Sequence, residues 1–138
     1  MLNLICAYYF ENPVGRVLEH PDGHALVQYA TGPRDFAAFR AFLTHTGQLL
    51  RRQEWHKTLA DQHLIIPFTD DERTWVGENW LARNAHDSYE LYGAIVISRA
   101  VFSGLTQDLV ATYSRYSALT YRLCDTEPAA TAWLGQLP

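Results

Sequence analysis

The chain is short of several things that would mark a function. Among its 138 residues there is no basic run, and eleven basic residues stand against fifteen acidic ones for a net charge of −4. A nucleic-acid backbone or an anionic membrane surface is therefore a poor electrostatic match. No stretch reaches the roughly 20 apolar residues that span a bilayer. The apolar start "MLNLICAYYF" has neither a positive leader nor a small-residue cleavage site before Glu11, so the expectation is a cytoplasmic protein without membrane insertion. Cysteine is scarce too. Cys6 and Cys124 are not spaced as a metal pair and each sits in an apolar stretch, as free thiols in a reducing compartment would. A Gly-rich phosphate loop, a Ser elbow, a CxxC pair and an HExxH helix are all missing from the sequence. No cofactor is expected.

What is present is the composition of a folded domain, with 48% hydrophobic and 19% charged residues. At this length the chain makes one domain, able to bury a core without staples. Strands are expected first, over residues 4–10 and 14–19. Val17 to Ala30 reads as a hairpin turned by Pro21-Asp22-Gly23. From Asp35 the period changes. Phe36, Phe39, Leu43, Gly47 and Leu50 share a face, and Arg34, Arg40, Arg51 and Arg52 lie largely elsewhere, giving an amphipathic helix of about four turns.

Lys57 to Asp61 is the next strand. Thr69-Asp70-Asp71-Glu72 matches a capping box at the start of a helix running to about Ala85. Tyr92 to Ser98 is a continuous apolar run, as in a strand covered on both faces. Phe102, Leu105, Leu109, Tyr113 and Tyr116 mark another helix, Leu119 to Asp125 a last strand, and Ala130, Trp133, Leu134 and Leu137 a closing helix. The expected fold is α/β: a single-layer mixed sheet of about five strands, with an N-terminal β-hairpin and four helices.

Three stretches then stand together: "LADQHLIIPFTDDERTWVGENWL", "YGAIVIS" followed by "VFSGL", and "YRLCDTEPAATAWL". Leu59 and Asp61 end a strand, Trp75, Asn79 and Trp80 follow on a helix, and Ala129 to Leu134 close the chain. In that order and spacing, over residues 10 to 137, the chain resembles small bacterial STAS-like (SpoIIAA-like) proteins with the fold of an anti-sigma-factor antagonist. The resemblance implies a single STAS-like domain over 1–138 and a non-enzymatic regulatory or protein-interaction role. In the antagonists a serine in an Asp-Ser-Ser-Gly-type motif is phosphorylated. Here the loop after Asp61 is longer and Thr69 is the only hydroxyl at the helix start. "SGL" at Ser103 to Leu105 follows a later strand and does not replace the motif.

Each candidate site has a functional and a structural reading. Asp61 at the carboxyl end of a strand lies where open α/β sheets hold ligands. With His63 it could form an acid–base pair, or it could simply tie the loop through backbone amides; no nucleophile accompanies the pair, so catalysis ranks last. Asp70, Asp71 and Glu72 point apart on a first turn, which suits capping rather than a metal. His20 and His24 flank the hairpin turn, but the sequence supplies no third ligand, so no metal site is expected. The apolar "LIIPF" (Leu64 to Phe68) either folds inward or meets a partner. Trp80 suits the core, and Trp75 could line a pocket. The tentative binding set is therefore Asp61, His63, Ile65, Phe68, Thr69 and Trp75. It would serve an unknown protein partner or a second copy of the chain. The alternative is a carrier or sensor of a small apolar molecule held near the Leu64–Phe68 loop and Trp75.

Overall fold

The structure, a computed structural model, describes residues 6–63, 65, 66, 68–81, 91–98 and 119–137. Three strands come first: β1 (Ala7–Asn12), β2 (Gly15–His20) and β3 (His24–Tyr29). The Asn12 carboxamide organises the first turn. Its oxygen accepts the Val14 amide at 2.9 Å, and its nitrogen donates to the Ala38 carbonyl at 2.9 Å, tying the turn to the following helix. The second turn closes through Gly23 N–H to the His20 carbonyl at 3.0 Å, with Gly23 at φ +88°. That left-handed angle is where glycine costs least.

Helix α1 (Phe36–Gln53) is one turn longer than expected. Asp35 caps it by accepting the Ala38 amide, and Glu54 ends it in the left-handed region at φ 56°. Its buried face is Phe39, Phe42, Leu43, Thr46, Leu49 and Leu50. Phe36, expected on that face, is instead exposed, with the Arg40 guanidinium 5.0 Å from its ring centroid. It is the first helical residue, ahead of the turn that meets the sheet.

Strand β4 (Lys57–Asp61) has the expected bounds. Helix α2 (Asp70–Trp75) passes directly into a π-helical stretch, Val76–Leu81. Strands β5 (Leu91–Val96) and β6 (Leu119–Cys124) and helix α3 (Glu127–Gly135) complete the elements. Thr126 caps α3 by accepting the Ala129 amide. At the other end of α3, the Lys57 ammonium donates to the Leu134 and Leu137 carbonyls at 2.7 and 3.1 Å. A cation at a helix C-terminus satisfies orphan acceptors and opposes the helix dipole.

The sheet runs β1-β2-β3-β4-β5-β6 in strict chain order. The first two pairings are antiparallel and the last three parallel. The chain is therefore α/β, as expected, but two counts are corrected. Among the described residues the sheet has six strands rather than about five, because β1 pairs with β2 as a full strand beyond the β2–β3 hairpin. Three α-helices occur among the described residues rather than four. The helix expected over 102–116 and the end of the one expected to reach Ala85 lie outside them.

Alternation along the strands builds two cores. On one face Val17, Ala25 and Val27 pack against Phe39, Phe42, Leu43, Leu49 and Leu50 of α1. On the other, Leu18, Leu26, Leu59, Ala94, Val96 and Cys124 meet Ala130 and Leu134 of α3. β5 is buried along nearly its whole length, serving both cores. No helix among the described residues is long and apolar enough to cross a membrane.

Candidate functional site

The segment from Asp61 to Thr69 leaves β4 at its carboxyl end and enters α2. It is held from beneath by Arg34, which stands just before the α1 cap. The Arg34 guanidinium grips Glu72 with Nε to Oε2 and Nη2 to Oε1, both 2.8 Å. Both side chains are 4% exposed. Its Nη1 donates to the Ile66 carbonyl at 2.9 Å, and its Cζ lies over the Phe68 ring, 5.1 Å from the centroid. One side chain thus ties the entrance of α1, the middle of the loop and the first turn of α2 together. Arginine suits the place, since its planar fork bonds a carboxylate bidentately while its face stacks on an aromatic ring.

The capping box forms as expected. Thr69 Oγ1 accepts the Glu72 amide at 3.1 Å, and Glu72 Oε1 accepts the Thr69 amide at 2.9 Å. Burial pushes the Glu72 carboxyl up, but the hydrogen bond and charge of Arg34 and the Thr69 amide outweigh it. The net position is below the ordinary carboxylate value. Arg73 Nη1 adds a bond of 2.7 Å to the Phe68 carbonyl, and its Nη2 pairs with the exposed Asp70.

The expected site residues separate into three groups. Asp61 and His63 form a pair: the Asp61 carboxylate accepts the His63 amide at 3.3 Å and contacts its Nδ1. His63 is largely exposed and Asp61 much less so. Among the described residues no hydroxyl or thiol is hydrogen-bonded to either, so the pair lacks a nucleophile. Ile65, Phe68 and Trp75 turn inward. Ile65 is buried, Phe68 stands edge-on to Tyr29 and Phe39, and Trp75 stands edge-on to Phe39. Thr69 is engaged in capping. Among the described apolar residues of the loop, the one that faces outward is Ile66, 48% exposed.

Behind the loop lies a cavity of about 60 Å³, lined by Phe68, Gln62, Val76, Trp80 and core residues of α1 and the sheet. Trp80 helps to line it while its Nε1 donates to the Leu43 carbonyl at 2.8 Å. Trp75 is not among the lining residues.

At the far end of the sheet His20 and His24 stack across the hairpin, with ring centroids 4.2 Å apart and planes inclined by 15°. His20 Nδ1 accepts the Asp22 amide at 3.0 Å. His24 is 1% exposed, and its Nε2 has no hydrogen-bond partner among the described residues. Burial, then the charge of His20, lowers its pKa to about 4, with Asp22 acting in the opposite sense and Lys57 adding to the fall. Stacked rings do not converge their lone pairs on one ion. Among the described residues no group of three or more His, Cys, Asp or Glu side chains is placed to hold a metal. Cys6 is half-buried and Cys124 buried; both are free, with thiols pushed up chiefly by burial.

The residues that sequence reasoning missed are Arg34, Ile66 and the buried Gln62. Arg34 looked like part of a polar face because it adjoins one. The available signal is Glu72: a capping-box acid preceded by two more acids, Asp70 and Asp71, and in need of a counter-charge once buried. No protein-family model, no curated protein and no solved structure matches the chain.

Proposed function

We propose that the chain is a non-enzymatic, STAS-like regulatory or protein-interaction module that docks a protein partner, or a second copy of itself, on the Asp61–Thr69 loop. The observation that carries this reading is the loop's construction. Its backbone is gripped at Ile66 by an arginine that is itself locked to Glu72, yet the Ile66 side chain is left outside. An exposed aliphatic anchor on backbone held by Arg34, flanked by the polar His63 and Asp70, has the make-up of an interface hot spot with a polar rim. The α/β sheet and the capped helix after the Asp61 loop support the family resemblance without deciding it. Ile66→Asp tests the reading. It should leave the thermal melt unchanged and abolish self-association or partner capture; unchanged association would sink it.

The cavity favours a second reading, a carrier or sensor of a small apolar molecule. Its volume of about 60 Å³ is far below the roughly 300–1,000 Å³ of pockets for drug-sized ligands. Only a very small occupant fits without rearrangement. Native mass spectrometry of the purified protein separates the two: a bound mass lost on denaturation supports the carrier, and a bare chain supports docking.

A further inference from the structure

The face of β1–β3 opposite α1 carries a groove of about 380 Å³ that reaches the first residue of α3. At its floor Leu18 and Leu26, directly paired across β2 and β3, show the 7% and 4% of their surface that the core leaves exposed. One end is cationic. Arg16 is held there by Nη1 to the Tyr8 hydroxyl at 3.0 Å and Nη2 to Gln28 Oε1 at 2.9 Å, with its guanidinium over the Tyr8 ring. These bonds fix the fork but leave donors uncommitted, and among the described residues Arg16 has no acidic partner. The other end holds His20, Cys6 and the carboxylate of Glu127. Cys6 precedes the Ala7–Glu19 pair and so comes level with His20, and the charge of Glu127 acts on its thiol. Glu127 likewise has no ion-pair partner among the described residues. His20 Nδ1 is occupied as an acceptor, so the ring proton sits on Nε2, a donor for a carbonyl.

A fixed cation, the small exposed parts of Leu18 and Leu26 and, at the start of α3, a carboxylate with no ion-pair partner among the described residues therefore line one groove. Arg16 and His20 are four residues apart on β2, a span of roughly 13 Å at strand rise. An extended chain of three to four residues has about that length. The geometry points to a binding site for a short zwitterionic peptide: its carboxylate on Arg16, its apolar middle side chain on Leu18 and Leu26, and its ammonium on Glu127. Bidentate arginine–carboxylate pairing fixes the direction. The site is separate from the Asp61–Thr69 loop and does not depend on the docking reading.

The test is a titration of the tripeptide Ala-Leu-Ala into the isotope-labelled full chain, followed by amide chemical shifts. Saturable shifts are expected at Arg16, Gln28 and Glu127. The carboxamide and the N-acetyl forms should each bind at least about tenfold more weakly. Arg16→Gln should erase the penalty for the carboxamide, and Arg16→Lys should restore part of it. Glu127→Gln, at an exposed position, should erase the penalty for acetylation, and it decides the matter even if an Arg16 variant folds poorly. No saturable shift at millimolar peptide, or equal binding of all three peptides, would overturn the assignment.

Discussion

Arg34 and Glu72, 38 positions apart in the chain, form a two-pronged ion pair with both side chains 4% exposed. With the further Arg34 bond to the Ile66 carbonyl, it joins the entrance of α1, the 61–69 loop and the start of α2. Buried pairs of this kind are weak evidence for net stability, because desolvation offsets attraction. Removing one partner is different, since it strands a buried charge. Arg34→Met should therefore cost roughly 3–5 kcal/mol, and the double change Arg34→Met with Glu72→Leu should cost much less than the sum of the single ones. Urea melts of the four proteins in this cycle measure it; simple additivity would mean that the two side chains act independently.

Ile65 and Ile66 are neighbours with opposite fates, 5% and 48% exposed. Ile66→Asp should change stability by no more than about 0.5 kcal/mol. Ile65→Asp buries a charge and should cost several times that. Matching melts for the two variants would contradict the described loop.

His24 makes stability pH-dependent in a defined window. Its pKa in the folded chain is lowered from 6.5 to about 4, so between those values the unfolded chain binds more protons. Stability from this group is complete above pH 6.5 and falls as pH drops toward 4, by roughly 3 kcal/mol. Below that, Glu72 takes over: its carboxyl is lowered, so its contribution is present above the ordinary value of 4.5 and lost as pH falls through the folded pKa. In His24→Leu the upper part of the slope should vanish while the lower part remains. Denaturant midpoints from pH 7 down to about 2 follow both parts of the slope.

Gly15 sits where β2 and β3 come together, and a Cβ there would lie 2.0 Å from the Gln28 carbonyl oxygen. The obstacle is backbone, which cannot swing aside. Gly15→Ala should cost about 1–3 kcal/mol, whereas Gly135→Ala, with nothing within 4 Å, should be near neutral or stabilising. Thermal melts of both compare them directly.

Much of the frame was legible because it rests on local chemistry. The Pro21-Asp22-Gly23 turn, β4 and the Thr69–Glu72 capping box all depend on neighbours within a few positions, and each formed where its residues asked. Long-range contacts were not legible in this way. The pairing of β1 with β2 as a sixth strand, the inward turn of Phe68 and the reach of Arg34 to Glu72 depend on which surfaces meet. So does the choice of Ile66 over Ile65 as the exposed residue of the loop. In an apolar run such as "LIIPF" every residue reads as buried or sticky, and only the backbone path decides which one turns outward.

The most direct test of the docking loop is site-specific photo-crosslinking from position 66, in purified protein and in a lysate of the native host. Arg52, exposed at the end of α1, provides the control position. A discrete crosslinked species formed from position 66, absent from position 52 and lost when Arg34→Met frees the loop, is the expected result. Equal crosslinking from both positions, or none from position 66, would contradict the account.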